Sequence, residues 1–294
     1  MSIPPRVALA TARAAWGIDP DEPALLAALA ETGVEAAPVA WDDAGADWGA
    51  WDLVVLRSTW DYAERREAFL AWAGRVEAAT TLLNPVEVVR ANTDKRYLAT
   101  LASAGVPVVD TAFFEPGEEV TLPEHDEAVV KPAVSAGSRD TLRTWPGERT
   151  RPLALAERLH AEGRTVMVQP YVASVDERGE TAVCYLDGAF SHAVAKGPIL
   201  PPGADVIDGL HAPEDLAARA PTATERAVAD AALDTLDAAG LLYARVDLVD
   251  DADGRPRVLE VELTEPSLFL RYAEGSVERF AEAIAARARA HARR

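Results

Sequence analysis

The first 90 residues alternate between short apolar runs and longer segments in which apolar positions recur with a helical spacing. Strands are predicted at RVALA (6–10), VEAAPVAW (34–41), WDLVVLR (51–57) and TLLNP (81–85), and helices at DEPALLAALAETG (21–33) and 63–78. Strands that alternate with helices along a chain form a parallel sheet with helices on its faces. The fold class predicted for residues 1–90 is therefore an open parallel α/β domain.

The rest of the chain places several strands next to one another in sequence, which favours an α+β organisation. Helices are predicted at 92–104, 151–163, 223–240 and 276–294, and strands at 106–114, 126–132, 165–172, 241–249 and 257–263. Within TAVCYLDGAFSHAVA (181–195), Asp187-Gly188 lies between two apolar runs and is a strong hairpin signal. Residues 197–214 are rich in Pro and Gly and predict a long loop.

Composition narrows the classes of partner. The 294 residues contain 29 Lys and Arg against 48 Asp and Glu, and the net charge of -19 repels nucleic acid and anionic membrane surfaces. The single Cys excludes a disulfide framework and a thiolate zinc site. No apolar run approaches the length of about 18 residues that a membrane span needs, and the start lacks a signal-peptide pattern. We expect a soluble cytoplasmic protein that holds anionic ligands with a few locally placed cations.

Two neighbouring strands near the C-terminal end carry the strongest chemical signal. Side chains alternate between the faces of a strand, so Arg245 and Asp247 share one face. Glu260 and Glu262 likewise share a face of the next strand. If these faces match, three carboxylates surround one guanidinium, and Mg²⁺ would supply the missing positive charge. The alternative is a solvated sheet face on which Arg245 forms a salt bridge with Glu260 or Glu262, and the pattern leaves both open.

Lysines give two further candidates with weaker signals. Lys131 ends a predicted strand and precedes the small-residue loop AVSAGS (133–138), whose backbone amides can approach phosphate oxygens. This is not a P-loop, since G-x-x-x-x-G-K-[ST] is absent, and an edge-strand lysine beside a turn stays the alternative. Lys95 is by default a solvated helix-face residue. The fingerprint G-x-G-x-x-G is also absent, which argues against a nicotinamide dehydrogenase.

The segment RSTWDY (57–62) follows an apolar strand, at the sheet edge where open α/β proteins bind ligands. Its polar side chains, which flank Trp60, are Arg57, Ser58, Thr59, Asp61 and Tyr62. A substrate-binding role and a simple role in capping and turning the chain are equally compatible with this pattern.

Taken in order, these segments resemble the ATP-grasp ligase superfamily, in particular its glutathione synthetase-like members, over nearly the whole chain. The resemblance rests on the α/β domain, a lysine on a helix (Lys95), a lysine before SAGS (Lys131), the strand VQPYV, and R-x-D leading to E-x-E. It implies a pre-ATP-grasp domain at 1–90, a small lid subdomain at 91–172 and a large subdomain with the magnesium site at 173–294.

The resemblance also implies the cofactors ATP and Mg²⁺ and a role for each site residue. The nucleotide would be bound by Lys95, Lys131, Ser135, Gly137, Ser138, Gln169, Tyr171, Val172, Leu259, and Glu180 or alternatively Asp176. Magnesium would be held by Asp247, Glu260 and Glu262, the last of which stands where relatives usually have Asn. Arg245 and Lys196 would act in catalysis, and residues 133–140 and 197–210 would form the lid.

Three stretches, RSTWDY, AVAKGP around Lys196 and EVELTEPSLFL, are similar to the O-ureidoserine cyclo-ligases of D-cycloserine biosynthesis. The substrate residues that this similarity implies are Arg57, Ser58, Thr59, Asp61, Tyr62, Thr264 and Ser267. ATP would convert a carboxylate into an acyl phosphate, which an amine of the same small amino-acid-like molecule attacks to close a ring. An intermolecular amino-acid or dipeptide ligase, a non-catalytic ATP-binding module and a homodimer stay open.

Overall fold

The computed structural model describes residues 3–200, 203, 215–238 and 240–292. The strands of its first sheet are β1 (Arg6–Thr11), β2 (Glu35–Ala40), β3 (Leu53–Leu56) and β4 (Thr81–Leu83). These strands are parallel and lie in the order β2-β1-β3-β4. The apolar runs of the first 90 residues therefore form the predicted parallel sheet, whose central strands are buried on both faces.

Helices flank the sheets. They are α1 (Glu22–Glu31), α2 (Arg66–Ala79), α3 (Val86–Asn92), α4 (Tyr97–Ser103), α5 (Thr150–Ala161), α6 (Val175–Arg178), α7 (Ala223–Thr235) and α8 (Ser276–His291). One face of the first sheet packs against α1 and α8, with Leu9 and Phe280 in a shared core. The other face packs against α2, where Trp41, Phe69 and Trp72 form an aromatic cluster. No helix among the described residues is both long and apolar enough to span a membrane.

Two antiparallel sheets follow. The second sheet contains β5 (Ala112–Phe114), β6 (Ala128–Pro132), β7 (Leu142–Thr144) and β8 (Val166–Pro170), in the order β5-β8-β6-β7. The third contains β9 (Glu180–Leu186), β10 (Ala189–Lys196), β11 (Leu216–Arg219), β12 (Tyr243–Asp250) and β13 (Pro256–Glu262), in the order β11-β10-β9-β12-β13. The predicted hairpin at Asp187-Gly188 is confirmed, since it joins β9 to β10 with two left-handed residues. A parallel α/β part followed by antiparallel sheets is the predicted fold class.

The helix predicted over 92–104 is shorter in the structure, where Asn92 is the last residue of α3, residues 93–96 form a break that contains Lys95, and α4 covers Tyr97–Ser103. The side chain of Asn92 ends α3 by accepting a hydrogen bond from the Leu263 amide at 2.8 Å, just beyond β13. The Lys95 amide then donates to the Ala133 carbonyl at 2.9 Å instead of to a helical carbonyl. The predicted single helix was wrong because hydrogen bonds to distant parts of the chain replace helical ones at this point.

The strand predicted at 106–114 is also shorter than expected. Only its last three residues pair, as β5, while Val108 makes an isolated bridge to Val258. The short elements β7, β11 and α6 had no clear periodic signal. Most of the loop predicted at 197–214 lies outside the described residues.

Candidate active site

A cavity of about 290 Å³ is lined by residues of the second and third sheets and by the loops that follow β1 and β3. The predicted site residues on its wall are Tyr62, Lys95, Lys131, Ser135, Gly137, Ser138, Gln169, Tyr171, Val172, Glu180, Lys196, Arg245, Asp247, Leu259, Glu260, Glu262 and Ser267. The chain contains only three lysines, and all three lie on this wall. Because the other basic residues are arginines, this concentration of compact ammonium groups indicates a site for an anion.

The predicted convergence of charged side chains on β12 and β13 is confirmed. The antiparallel register pairs Arg245 with Glu262 and Asp247 with Glu260, and all four side chains line the cavity. Arg245 contacts both oxygens of Asp247, at 2.8 and 2.9 Å, and Glu262 at 2.6 Å. It also donates to the Ser267 carbonyl at 2.9 Å. The salt bridge between Arg245 and Glu262 therefore exists, but it lies in a cavity wall and not on a solvated face.

Lys196 lies between two acids of the third sheet. Its Nζ is 2.9 Å from Asp247 Oδ2 and 3.0 Å from Glu180 Oε2. The neighbouring Gly179 has a φ of +67°, and a Cβ at this position would collide with the carbonyl oxygen of Lys196. This close approach requires glycine and holds the start of β9 against the end of β10.

Lys95 and Lys131 lie beside the small-residue loop. Lys95 Nζ is 3.0 Å from Glu260 and donates to the Ser135 carbonyl at 2.8 Å, which ties the loop to β13. The Lys131 ammonium, by contrast, forms no hydrogen bond or ion pair with any described residue. Burial lowers the pKa of Lys131, and the Glu260 carboxylate offsets this in part. A buried cation without a fixed partner is suited to an anionic ligand.

Only the first of the two predicted lid segments, 133–140, lies within the described residues. Gly137 and Ser138 both have a left-handed backbone, with φ of 63° and 61°, and both line the cavity with Ser135. Successive residues in such turns give backbone amides that can converge on an anion. Much of the second segment, 197–210, lies outside the described residues, although Ile199 and Leu200 before that gap line the cavity.

The carboxylates of the wall differ strongly in charge state. Burial opposes ionisation of Asp247, but Arg245 and then Lys196 lower its pKa to about 2. Burial raises the pKa of Glu262 to about 7; Arg245 opposes this rise, while Glu260 and Asp247 add to it. Burial, and next the Glu262 carboxylate, also raise the pKa of Glu265 well above its ordinary value. Burial thus disfavours the charged forms of Glu262 and Glu265, and a cation bound beside them would stabilise these charged forms.

This donor set fits a magnesium ion that is shared with a nucleotide. Among the residues that the structure describes, no group of three or more acidic, His or Cys side chains is arranged to hold a metal by itself. Mg²⁺ is commonly held by only one or two carboxylates together with phosphate oxygens and water. Glu260 and Glu262 meet that smaller requirement, since each makes one ion pair, with Lys95 and Arg245 respectively, whereas Asp247 is bonded to both Arg245 and Lys196.

Gln169 presents a buried hydrogen-bond acceptor at the other end of the site. Its Nε2 donates to the Thr111 hydroxyl at 2.9 Å, and that hydroxyl donates to the Val109 carbonyl at 2.8 Å. The Thr111 oxygen therefore accepts from Gln169, which fixes the orientation of the amide. Gln169 Oε1 is buried and has no hydrogen-bond partner among the described residues. An unpaired acceptor on the cavity wall suits the amino group of adenine.

The polar side chains of RSTWDY are mostly turned away from the cavity. Trp60 and Tyr62 line the cavity wall. The other predicted substrate residues of this segment do not line it, and these are Arg57, Ser58, Thr59 and Asp61. Ser58 Oγ lies 2.6 Å from a hydroxyl of β1, and Asp61 accepts from the Trp41 indole at 2.8 Å. These four residues are buried within the N-terminal part of the fold and do not line the cavity, so a direct contact with the substrate stays a prediction.

Of these four residues, Arg57 makes the contacts that bear most directly on the cavity wall. Its guanidinium lies 3.1 Å from Asp19, and the two residues are only 3% and 5% exposed. It also lies over the Phe280 ring, 5.6 Å from the ring centre, and 3.5 Å from the Pro266 carbonyl. Asp19 lines the cavity although Arg57 does not. Arg57 therefore supports two loops that form the cavity wall.

Two more predicted site residues lie off the cavity wall. Asp176 accepts two hydrogen bonds from Arg143, each 3.0 Å long, and one from Tyr171 at 2.5 Å. Of the two candidates for ribose binding, the cavity therefore presents Glu180 and not Asp176. Thr264 is buried and donates at 3.2 Å to the side chain that ends α3.

Three acids of the cavity wall, Asp19, Asp21 and Glu265, were missed from the sequence. Asp19 and Asp21 lie in the loop after β1, and loops at the carboxyl ends of parallel strands are where ligand groups are expected. Glu265 lies in the stretch EVELTEPSLFL, which indicated a family similarity but no role for this residue. Both signals were available, but neither indicated which side chain points inwards.

Comparisons with known proteins agree with this geometry. Residues 7–84 match the N-terminal domain of D-cycloserine synthetase DcsG, and residues 119–274 match the ATP-grasp domain of prokaryotic glutathione synthetase. The cycloserine biosynthesis protein DcsG of Streptomyces lavendulae is 41% identical to this chain, over 96% of this chain and 98% of its own length.

Solved structures extend the comparison to the fold. The crystal structure of D-cycloserine synthetase DcsG has a TM-score of 0.88 at 41% identity and covers 96% of this chain and 99% of its own. D-alanine–D-alanine ligase from Bacillus anthracis, complexed with ATP, has a TM-score of 0.73 over 98% of each chain, but its 17% identity shows the fold alone. The resemblance inferred from the sequence is confirmed: this chain is an ATP-grasp ligase and belongs to the family that includes D-cycloserine synthetase DcsG.

Proposed function

We propose that this chain is an ATP-dependent cyclo-ligase that closes the ring of cycloserine from O-ureidoserine in the cytoplasm. The observation that carries the proposal is a single cavity that holds all three lysines, Arg245, and the acids of β12 and β13. A wall equipped with both cations and carboxylates for phosphoryl transfer argues against a module that only senses ATP. The similarity to DcsG supports the choice of product.

Ring closure requires an activated carboxyl group because a free carboxylate is a poor acyl donor. Transfer of the γ-phosphoryl group to the substrate carboxylate gives an acyl phosphate and ADP. The oxygen-bound ureido nitrogen then attacks the acyl carbon, and phosphate leaves. Cycloserine also lacks the carbamoyl group of O-ureidoserine, so water must hydrolyse the bond between that group and the nitrogen, and the carbamic acid released gives carbon dioxide and ammonia. Holding both reacting groups of one molecule in a small cavity supplies proximity, which can be equivalent to about 10⁵–10⁸ M.

The nucleotide would be held by residues along the cavity wall. Lys131, whose ammonium has no hydrogen bond or ion pair within the described part of the chain, would bind phosphate oxygens directly. Lys95, which is bonded to Ser135, would join the phosphates to the small-residue loop. At the far end Gln169 Oε1 would accept from the adenine amino group, and Glu180 would accept from the ribose hydroxyls.

The charge on the transferred phosphoryl group would be balanced by β12 and β13. When bound beside Glu260 and Glu262, Mg²⁺ would neutralise phosphate charge and polarise the phosphorus–oxygen bonds. Arg245 presents a planar, rigidly held guanidinium to the same cavity and would stabilise the equatorial oxygens during transfer. Lys196, which lies between Glu180 and Asp247, would add positive charge next to Arg245.

A screen of ADP release tests this function. O-Ureidoserine, other amino acids and dipeptides are each supplied with Mg-ATP, alone and in pairs, and the organic products are identified by mass spectrometry. ADP release with O-ureidoserine alone, together with cycloserine formation, is the expected result. ADP release that requires two different compounds would show an intermolecular ligase and contradict ring closure.

Mg-ATP is expected to stabilise the fold, because the lysines and acids that bind it come from sheets far apart in sequence. At 100 times the dissociation constant, the gain in the free energy of unfolding is about 2.7 kcal/mol. Thermal midpoints measured with Mg-ATP, with Mg²⁺ alone and with ATP plus a chelator separate the contributions of metal and nucleotide. Identical midpoints in all three samples would reject nucleotide binding.

Lys131 is expected to react faster than Lys95 and Lys196 with an amine-selective acylating reagent. Its lowered pKa gives a larger neutral fraction, and no ion pair with a described residue holds its ammonium. Peptide mapping by mass spectrometry is simple here because a chain with three lysines yields few labelled peptides.

Saturating Mg-ATP should protect Lys131 from acylation, by about tenfold at ten times the dissociation constant. The amino-terminal amine is the internal control and should be labelled equally with and without nucleotide. Equal labelling of Lys131 in the two samples would remove it from the phosphate site.

A further inference from the structure

Glu265 is a buried carboxyl group of the cavity wall that the reaction scheme above does not use. Glu265 is 7% exposed, and it lines the cavity. Its carboxyl group forms no hydrogen bond or ion pair with any residue that the structure describes. A buried polar group without partners is unfavourable for folding, so its presence in the wall points to a ligand that supplies the missing partner.

The backbone around Glu265 is held at five consecutive carbonyl groups, those of residues 264–268. Each accepts a hydrogen bond from a side chain in another part of the fold. The donors, in order along the segment, are Tyr243 Oη (2.8 Å), Trp60 Nε1 (3.2 Å), Arg57 Nη1 (3.5 Å), Arg245 Nη1 (2.9 Å) and His192 Nε2 (2.8 Å). Because this segment is fixed so densely, the backbone that carries Glu265 is preorganised, which lowers the entropic cost of binding a ligand.

The charges around Glu265 select the kind of ligand. Glu262 and Glu260 add negative charge beside it, so an anionic group would be repelled from this part of the wall. The nearby cations Lys95 and Arg245 form ion pairs with Glu260 and Glu262 and form none with Glu265. A compact cation with several N–H donors satisfies both the charge and the unfilled acceptors, and an ammonium group has this chemistry.

We infer that Glu265 binds the α-ammonium group of the amino-acid substrate. The inference rests on the proposed function, since O-ureidoserine carries an ammonium and the reacting carboxylate on the same carbon. An ammonium held at Glu265 keeps that carboxylate one carbon away, on the wall that also presents Arg245. Arg57 and Trp60 are then positioning residues, which act through the carbonyls of Pro266 and Glu265.

The variant Glu265→Gln keeps the shape of the side chain but cannot ionise, so it cannot form an ion pair with a bound ammonium group. The KM for O-ureidoserine should rise about 10- to 100-fold, because a charge-assisted hydrogen bond to the ammonium is lost. The value of kcat should change by less than about threefold, since the lost contact is made equally in the ground state and the transition state. The inhibition constant of 3-(ureidooxy)propanoic acid, which lacks the ammonium, should be the same in both proteins.

Glu274→Gln, at an exposed position, is the matched control and should leave every constant unchanged. Thermal midpoints with Mg-ATP verify that each variant is folded and binds nucleotide. A lower kcat at unchanged KM would make Glu265 a proton acceptor and overturn the inference. An equal loss of affinity for the compound without the ammonium would also overturn it.

The two proposals fail in different ways. A wild-type protein that releases no ADP with O-ureidoserine rejects the proposed function and does not decide the role of Glu265. That role is then decided by the thermal shifts that serine and 3-hydroxypropanoic acid produce in the presence of Mg-ATP. A shift with serine that disappears in Glu265→Gln supports the ammonium site, and shifts that are the same in both proteins overturn it.

Discussion

Replacement of Arg57 by alanine is expected to lower the free energy of unfolding by about 3–5 kcal/mol, because it removes one partner of a buried ion pair. Arg57 Nη2 lies 3.1 Å from Asp19, and both side chains are buried. The variant would leave the Asp19 carboxylate in the cavity wall without its cation and would release the Pro266 carbonyl. Urea denaturation, with the slope compared between variants, measures the loss.

A double-mutant cycle separates the ion pair from general damage to the fold. Asp19→Ala should cost much less stability in the Arg57→Ala background than in the wild type, because no partner is then left unpaired. Arg75→Ala, at an exposed position of α2, is the control and should change stability by less than about 0.5 kcal/mol. An Arg57→Ala protein of normal stability with a raised KM would restore the direct substrate contact that the sequence predicted.

The charged hairpin could be predicted because the period of a strand determines which side chains share a face. Alternation alone groups Arg245 with Asp247 and Glu260 with Glu262, and a hairpin register then brings the two groups together. For Lys131, an apolar run followed by small residues left an edge-strand lysine beside a turn open, and the prediction that it binds phosphate came from the family resemblance. Both patterns involve residues that are close together in sequence. The strands and the turn in which these residues lie are determined by local hydrogen bonding.

The substrate side could not be predicted in the same way, because its contacts join distant parts of the chain. Arg57 pairs with Asp19, 38 residues away, and reaches the Pro266 carbonyl, 209 residues away. The sequence shows that RSTWDY is rich in donors, but it contains no information on which partners the fold brings to them. The break before Lys95 has the same origin, since helical periodicity continues through it while hydrogen bonds to distant backbone groups interrupt the helix.

Replacement of Arg245 by alanine is expected to lower kcat by about 10²- to 10³-fold, equivalent to about 2.7–4 kcal/mol, by analogy with removal of one oxyanion donor. The guanidinium lines the cavity in a fixed orientation set by Asp247, Glu262 and the Ser267 carbonyl. The lysines and magnesium bind ATP in the ground state, whereas Arg245 would act as charge shifts during transfer. The dissociation constant of ATP should therefore change by less than about tenfold.

The ion pairs of Arg245 predict a second effect, on stability, which the experiment has to separate from the first. Alanine leaves Asp247 and Glu262 without their guanidinium, so the melting temperature should fall. The value of kcat is therefore measured at a temperature well below the unfolding transition and is divided by the fraction of protein that is folded. Arg245→Lys keeps a positive charge but cannot reach two oxygens with a planar fork, so it should recover much of the melting temperature and little of kcat. If kcat instead recovers in parallel with the melting temperature, Arg245 is a structural ion-pair partner and its catalytic assignment is wrong.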